Sequence, residues 1–199
     1  QRQMCIRDSH NAPANKTCNV TAAFVRIYGV AWDGSSTTAL TRTDDSALFA
    51  DPVPAVGTGA GSSPFDNCLP WSGMTKVTDG NNTLVKIPKF WVKVTHSPFK
   101  VQIADQATDG FQVSPAHRDR GDGVGERDVV YIGRYECNSS YQSRTGQSPR
   151  VNTSLSTFRS GIKALGTGYY QADFALQLTL WYLYLVEFAN WNGQTKIGR

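Results

Sequence analysis

Leu84-Val85-Lys86-Ile87-Pro88-Lys89-Phe90-Trp91-Val92-Lys93-Val94 alternates lysines with apolar residues. That period of two is the signature of a half-buried strand. Pro88 has no N–H to give to a ladder, so it places the strand at an edge or a bulge. His96-Ser97-Pro98 supplies a turn and Phe99-Lys100-Val101-Gln102-Ile103-Ala104 returns, which predicts a hairpin. Downstream, Asp128 to Cys137 (DVVYIGRYEC) is a further strand. Upstream, Ala22 to Ala31 (AAFVRIYGVA) has the β-branched and aromatic content of another. It runs into the turn Trp32-Asp33-Gly34-Ser35-Ser36. Leu40-Thr41-Arg42-Thr43 follows, Asp45 to Ala50 fits one helical turn, and the prolines of Asp51-Pro52-Val53-Pro54 end it.

Two helices close the chain. Thr153-Ser154-Leu155-Ser156 offers N-caps for a short helix through Phe158, Ile162 and Leu165, with Gly166 as its stop. Gln171 to Asn190 is the main helix. Phe174, Leu178, Trp181, Leu185 and Phe188 share one face, Leu176, Leu180 and Leu183 broaden it, and Asp173, Gln177, Tyr184 and Glu187 fall on the remaining strip. The apolar run is shorter than the roughly 20 residues a bilayer requires and carries Gln177 and Glu187, so a core helix is expected and membrane insertion is not. Strands before helices give an α+β class, with a β-rich N-terminal region and two helices near the C-terminus.

Three segments are expected. Residues 1–21 form a disordered lead, in which residues 1–9 resemble a translated sequencing adapter. Residues 22–63 form an N-terminal β segment and a candidate attachment module, bounded by the flexible loop Gly57 to Pro64. Residues 64–199 carry the α+β domain, which breaks off after Lys196-Ile197-Gly198-Arg199 without a closing strand and reads as truncated.

Charged residues make up only 18% of the chain, hydrophobic residues 40% and aromatic residues 11%, with 18 glycines and 9 prolines. The apolar share argues against a disordered tail, and the mix suits a loop-heavy, extracellular β-rich protein. A net charge of +4, scattered along the chain, does not announce nucleic-acid binding. Of Cys5, Cys18, Cys68 and Cys137 the first falls in the adapter-like run, no C-x-x-C occurs, and free thiols are expected.

The sequence offers little chemistry. His10, His96 and His117 lack metal-ligand spacing, and His117 sits beside Arg118 in a charged loop. No G-x-S-x-G elbow and no phosphate-binding glycine loop is present. Asp119, Asp122, Glu126 and Asp128 lie among glycines and are candidate ligands for calcium. Their spacing is not that of an EF-hand, and the neighbouring arginines can pair with them instead. Trp32 and Trp71 sit in turns and are candidate ligand-stacking residues, whereas Trp91 and Trp181 lie in periodic apolar segments and are expected in the core. Trp191, just past the main helix, is expected to cover the core there.

Tyr28-Gly29-Val30-Ala31-Trp32-Asp33-Gly34 with Leu40-Thr41-Arg42-Thr43 resembles the opening of phage tail-fibre proteins from gut bacteriophages. Ile87-Pro88-Lys89-Phe90-Trp91, Ser114-Pro115-Ala116-His117 and Tyr131-Ile132-Gly133-Arg134-Tyr135 are similar to their body. Leu180 to Asn192 (LWYLYLVEFANWN) resembles the second helix of their C-type-lectin-like domain, which also occurs in the variable receptor-binding proteins of diversity-generating retroelements and in formylglycine-generating enzymes. The resemblance implies an extracellular virion protein, often homotrimeric, that joins other tail proteins and binds a bacterial cell-surface receptor, glycan or protein. It implies a ligand face built mostly after the second helix, so no binding residue carries over. The enzyme branch requires a reactive cysteine pair that this sequence lacks. The expected function is therefore a host-receptor recognition scaffold without catalysis. The alternatives are a baseplate or fibre connector and, behind it, a glycan-degrading tail enzyme.

Overall fold

The computed structural model describes residues 24–55 and 60–197. The lead 1–21 with Cys5, His10 and Cys18, the glycines 57 and 59, and Arg199 lie outside the described residues. The elements are β1 (Ile27–Ala31), β2 (Thr41–Asp44), β3 (Thr75–Asp79), β4 (Asn82–Pro88), β5 (Trp91–His96), β6 (Phe99–Ala104), β7 (Gln112–Val113), β8 (Val129–Gly133), α1 (Leu155–Lys163), α2 (Phe174–Phe188) and α3 (Gly193–Ile197). They make an α+β arrangement of two antiparallel sheets, ordered β2-β1-β6-β5-β7 and β3-β4-β8.

The stretch expected as one strand from Leu84 to Val94 is two strands in two sheets. β4 runs to Pro88 beside β3 and β8, and β5 begins at Trp91 beside β6. Ile87, Phe90 and Val92 are all buried, and the odd step from 87 to 90 shows that the alternation slips by one residue. A proline without an N–H ends the first ladder. Lys89 N then donates to Asp128 O at 2.8 Å and Phe90 O accepts from Ser114 N at 2.9 Å, which ties the crossing to the segments on either side. The expected hairpin survives in its second half, where β5 and β6 pair from Trp91↔Ala104 to His96↔Phe99. Strand β3 was not expected. It pairs with β4 across Gly80-Asn81, where a φ of +55° at Gly80 suits a residue without Cβ.

The candidate module 22–63 does not build a core of its own within its described residues. β1 pairs with β6 along its whole length, from Ile27↔Ala104 to Ala31↔Lys100. Tyr28 of β1 packs its ring 5.8 Å from Phe65 and 5.6 Å from Trp71. The segment is thus the flank of the same sheet and shares the same core.

Helix α2 starts at Asp173, whose carboxylate accepts from Leu176 N at 2.9 Å as an N-cap. It buries Thr179, Leu183, Leu185 and Val186, while Phe174 stays 78% exposed and Trp181 37%. The face expected to be buried is therefore partly the outer one. Apolar residues surround this helix almost completely, so periodicity alone does not choose a face. Thr179 tolerates burial because its Oγ1 accepts from Ala116 N and donates to Ala175 O, both at 2.9 Å. No helix among the described residues is long and apolar enough to cross a membrane.

Candidate functional site

The most distinctive surface lies where the five-stranded sheet meets the end of α2. Trp32 directly follows β1, and its N–H donates to Phe99 O at 3.0 Å. Continuing the β1–β6 register places Trp32 opposite Phe99, on the face that carries Tyr28 and Val30. Residues 33–38 then turn on Asp33, whose Oδ1 accepts from Ser35 N at 2.9 Å and Ser36 N at 2.8 Å. Those two N–H groups hold the Asp33 carboxyl below the usual carboxylate range. The indole Nε1 of Trp32 donates to Ser36 O at 2.7 Å and fixes the ring across the turn.

This turn is tied to the end of α2 by backbone bonds of 2.8 Å each, Leu40 N to Ala189 O and Trp191 N to Thr38 O. Ala189 takes a left-handed φ of +48° and reverses the chain. Trp191 thereby lies 5.0 Å from Phe99 and 6.0 Å from Trp181, with the two indole planes inclined at 33°. Tyr182 follows at 5.7 Å from Trp181. Trp32 and Trp181 are each 37% exposed, and Phe99 and Trp191 are half-buried supports beneath. Beyond Tyr182 the surface continues into a shallow cleft of about 540 Å³ that includes Phe174, Leu178, Arg118 and Arg120.

Of the two tryptophans singled out as ligand-stacking candidates, only Trp32 remains accessible. Trp71 is 7% exposed and lies 4.6 Å from Phe65 in the core, because the short helical turns Pro64–Asn67 and Trp71–Gly73 fold it inward under Tyr28. Trp181, expected in the core, is the ring that emerges. Trp91 is half-buried, with Lys89 Nζ 5.8 Å from its centroid. Because Trp181 is only partly covered, Trp181→Ala should cost about 1–2 kcal/mol in unfolding free energy, less than a fully buried tryptophan costs. Urea denaturation measures this.

The four calcium candidates do not converge. Asp119 Oδ1 caps its own turn by accepting from Gly121 N at 2.8 Å. Asp122 accepts from Val124 N at 3.2 Å and pairs with Arg127, contacts that hold its carboxyl below the usual range. Lys89 Nζ lies 2.6 Å from Asp128 and 3.8 Å from Glu126, and it lowers the Asp128 carboxyl. Among the described residues no group of three or more His, Cys, Asp or Glu side chains is placed to hold a metal. Millimolar calcium should therefore move the melting temperature by less than about 1 °C, since only a ligand that binds the native state shifts it. A calcium-dependent rise of several degrees, removed by chelator, would contradict this assignment.

His117, read as part of a charged loop beside Arg118, closes the short helical turn Pro115–His117. It is fully buried, with Nδ1 2.6 Å from Ser114 Oγ and Nε2 3.1 Å from Ile87 O. The carbonyl accepts only from an N–H, so Nε2 donates and Nδ1 accepts from the serine hydroxyl. Burial pushes the imidazole below its ordinary value, which keeps it neutral. A serine beside a histidine is the pairing of a nucleophile with its base, yet both side chains are sealed from solvent and tie the turn Pro115–His117 to β4, while the neighbouring Ala116 N–H ties the same turn to Thr179 of α2. The spacing Ser114-x-x-His117 was the only signal for this pair, and it reads equally as a turn.

Cys68 and Cys137 are unpaired thiols, and burial pushes the Cys137 thiol up. No family model, curated protein or solved structure matches the chain.

Proposed function

We propose that the chain is a recognition scaffold of a phage tail fibre, folded in the manner of a C-type-lectin-like domain, that binds a bacterial surface receptor without chemical turnover. In this reading it works outside the cell, in a homotrimer joined to other tail proteins. The observation that carries the reading is the aromatic end at which Trp32 and Trp181 are exposed, with the half-buried Trp191 and Phe99 beneath them. Aromatic side chains bring large contact area at low entropic cost and are enriched where proteins recognise partners. An exposed aromatic rim favours recognition, whereas a broad aliphatic flat would favour the connector role. The tail-fibre part of this reading comes from the resemblance carried by Tyr28 to Gly34 and by Leu180 to Asn192.

The test is incubation of the chain with gut bacterial isolates, followed by sizing of the surface polysaccharide from strains that retain it. Retention with polysaccharide of unchanged length is the expected result. Shortened polysaccharide would move the protein to the glycan-degrading class, and retention by no strain would favour the connector.

A further inference from the structure

We infer that the aromatic end binds the apolar face of a neutral sugar chain, with the exposed Trp181 as the stacking ring, backed by the half-buried Trp191, and Asp33 and Asn192 as hydrogen-bonding rim. The inference rests on the recognition reading above and names its ligand class.

Charge selects a neutral ligand. From Phe174 to Trp191 the only formally charged side chain is Glu187, and it is half-buried, with burial raising its carboxyl above the ordinary range. The cations bordering the surface are already engaged. Arg118 donates to Val113 O at 2.8 Å and to Gln112 Oε1 at 3.0 Å, Arg120 pairs with Asp173, and Lys196 Nζ lies 3.0 Å from Asp51. The exposed carboxylates Asp33 and Asp119 remain at the two ends of the surface. At the Trp181–Trp191 end an acidic sugar meets the Asp33 carboxylate, and of the bordering cations only Arg118, in the cleft beyond Tyr182 and held by neutral oxygens, lacks a carboxylate partner, so an acidic sugar is disfavoured there.

The rim selects a hydroxyl-rich ligand over a purely apolar one. Asp33 uses Oδ1 for its turn and leaves Oδ2 as an acceptor. Asn192 uses Oδ1 to accept from Thr195 N at 3.0 Å and leaves its Nδ2 as a donor. A pyranose presents C–H groups on one face and hydroxyls at its edge. It therefore satisfies rings and rim together, whereas an aliphatic protein surface would leave the rim groups desolvated and unpaired. The half-buried Phe99 beneath Trp191 and the backbone bonds across Thr38 and Ala189 hold this pair of rings in place before a ligand arrives.

Tryptophan emission and ligand-observed saturation-transfer NMR test this with methyl β-D-glucopyranoside, methyl β-D-galactopyranoside and methyl α-D-mannopyranoside, against N-acetylneuraminic acid as the anionic probe. At least one neutral glycoside should bind with a dissociation constant of order millimolar. Trp181→Ala should weaken it by about tenfold, and Trp181→Phe, which keeps a stacking ring, by only about threefold. Absence of binding by all three glycosides up to about 0.1 M overturns the inference, as does equal affinity in Trp181→Ala or a preference for the acidic probe. Self-association of the chain that Trp181→Ala abolishes would also overturn it, by making the surface an interface between copies. Adsorption to bacterial cells, measured in parallel, separates the two levels. A chain that adsorbs but binds no glycoside overturns this inference alone, and one that adsorbs to no cell overturns the recognition reading beneath it.

Discussion

Trp71→Ala should lower the unfolding free energy by about 3–5 kcal/mol, the cost of deleting a fully buried aromatic and leaving its cavity. The ring is 7% exposed and packs edge-on against Tyr28 at 5.6 Å and tilted on Phe65 at 4.6 Å. These three residues come from β1 and from two short helical turns some forty positions downstream, so the loss loosens the attachment of the N-terminal strands to the rest of the core. With a total stability on the order of 5–15 kcal/mol for a domain, the variant should show a much lower urea midpoint, and any loss of binding should track the unfolded fraction. A folded Trp71→Ala with native stability and lost binding would restore Trp71 as a ligand contact. The contrast with Trp181→Ala, mild in stability and strong in binding, separates core from surface among residues of one chemical type.

Acidification below neutral pH should destabilise the protein through His117. The group is neutral and its folded value lies below the unfolded value of about 6.5, so between the two the unfolded chain binds the extra proton. Stability from this group is complete above about pH 6.5 and is lost as pH falls toward the folded value, at about 1.4 kcal/mol per pH unit within that window. Desolvation is the main cause. The hydrogen bond to the Ile87 carbonyl opposes it, Lys89 and Arg120 push the same way as burial, and Asp128 opposes them. His117→Ala should flatten the acid slope while removing about 3–5 kcal/mol, because it leaves the Ser114 hydroxyl and the Ile87 carbonyl buried without their partner. Urea midpoints from pH 5 to 7.5 give both quantities. An acid slope of the same size in the variant would assign the effect to other groups.

The strand-to-strand return at His96-Ser97-Pro98, the strand begun at Asp128 (expected to run to Cys137 but ending at Gly133) and the short and long helices near the C-terminus were legible because each is a local pattern of period or breaker. The split at Pro88 was not. Alternation reports which residues share a face but not which sheet that face belongs to, and the slip between Ile87 and Phe90 is set by contacts to Asp128 and Ser114. β3 went unread because Thr75-Lys76-Val77-Thr78-Asp79 has a single half-buried apolar residue and takes its strand form from pairing with β4. The tryptophans exchanged places for the same reason. Turn position does not measure burial when the turn folds under a sheet, as at Trp71, and an all-round apolar helix carries no internal mark of its outer face, as at Trp181. The charged neighbours of His117 placed it in a charged loop and carried no sign of its burial, which comes from β4 and α2, distant in sequence.

Adsorption of the fluorescently labelled chain to intact bacterial cells, with Trp181→Ala in parallel, tests most directly whether the aromatic end is a recognition surface. The account predicts saturable adsorption to a subset of strains, reduced at least about fivefold by Trp181→Ala, in a variant that remains folded. Equal adsorption by the variant, or adsorption of the wild-type chain to no strain, would contradict it.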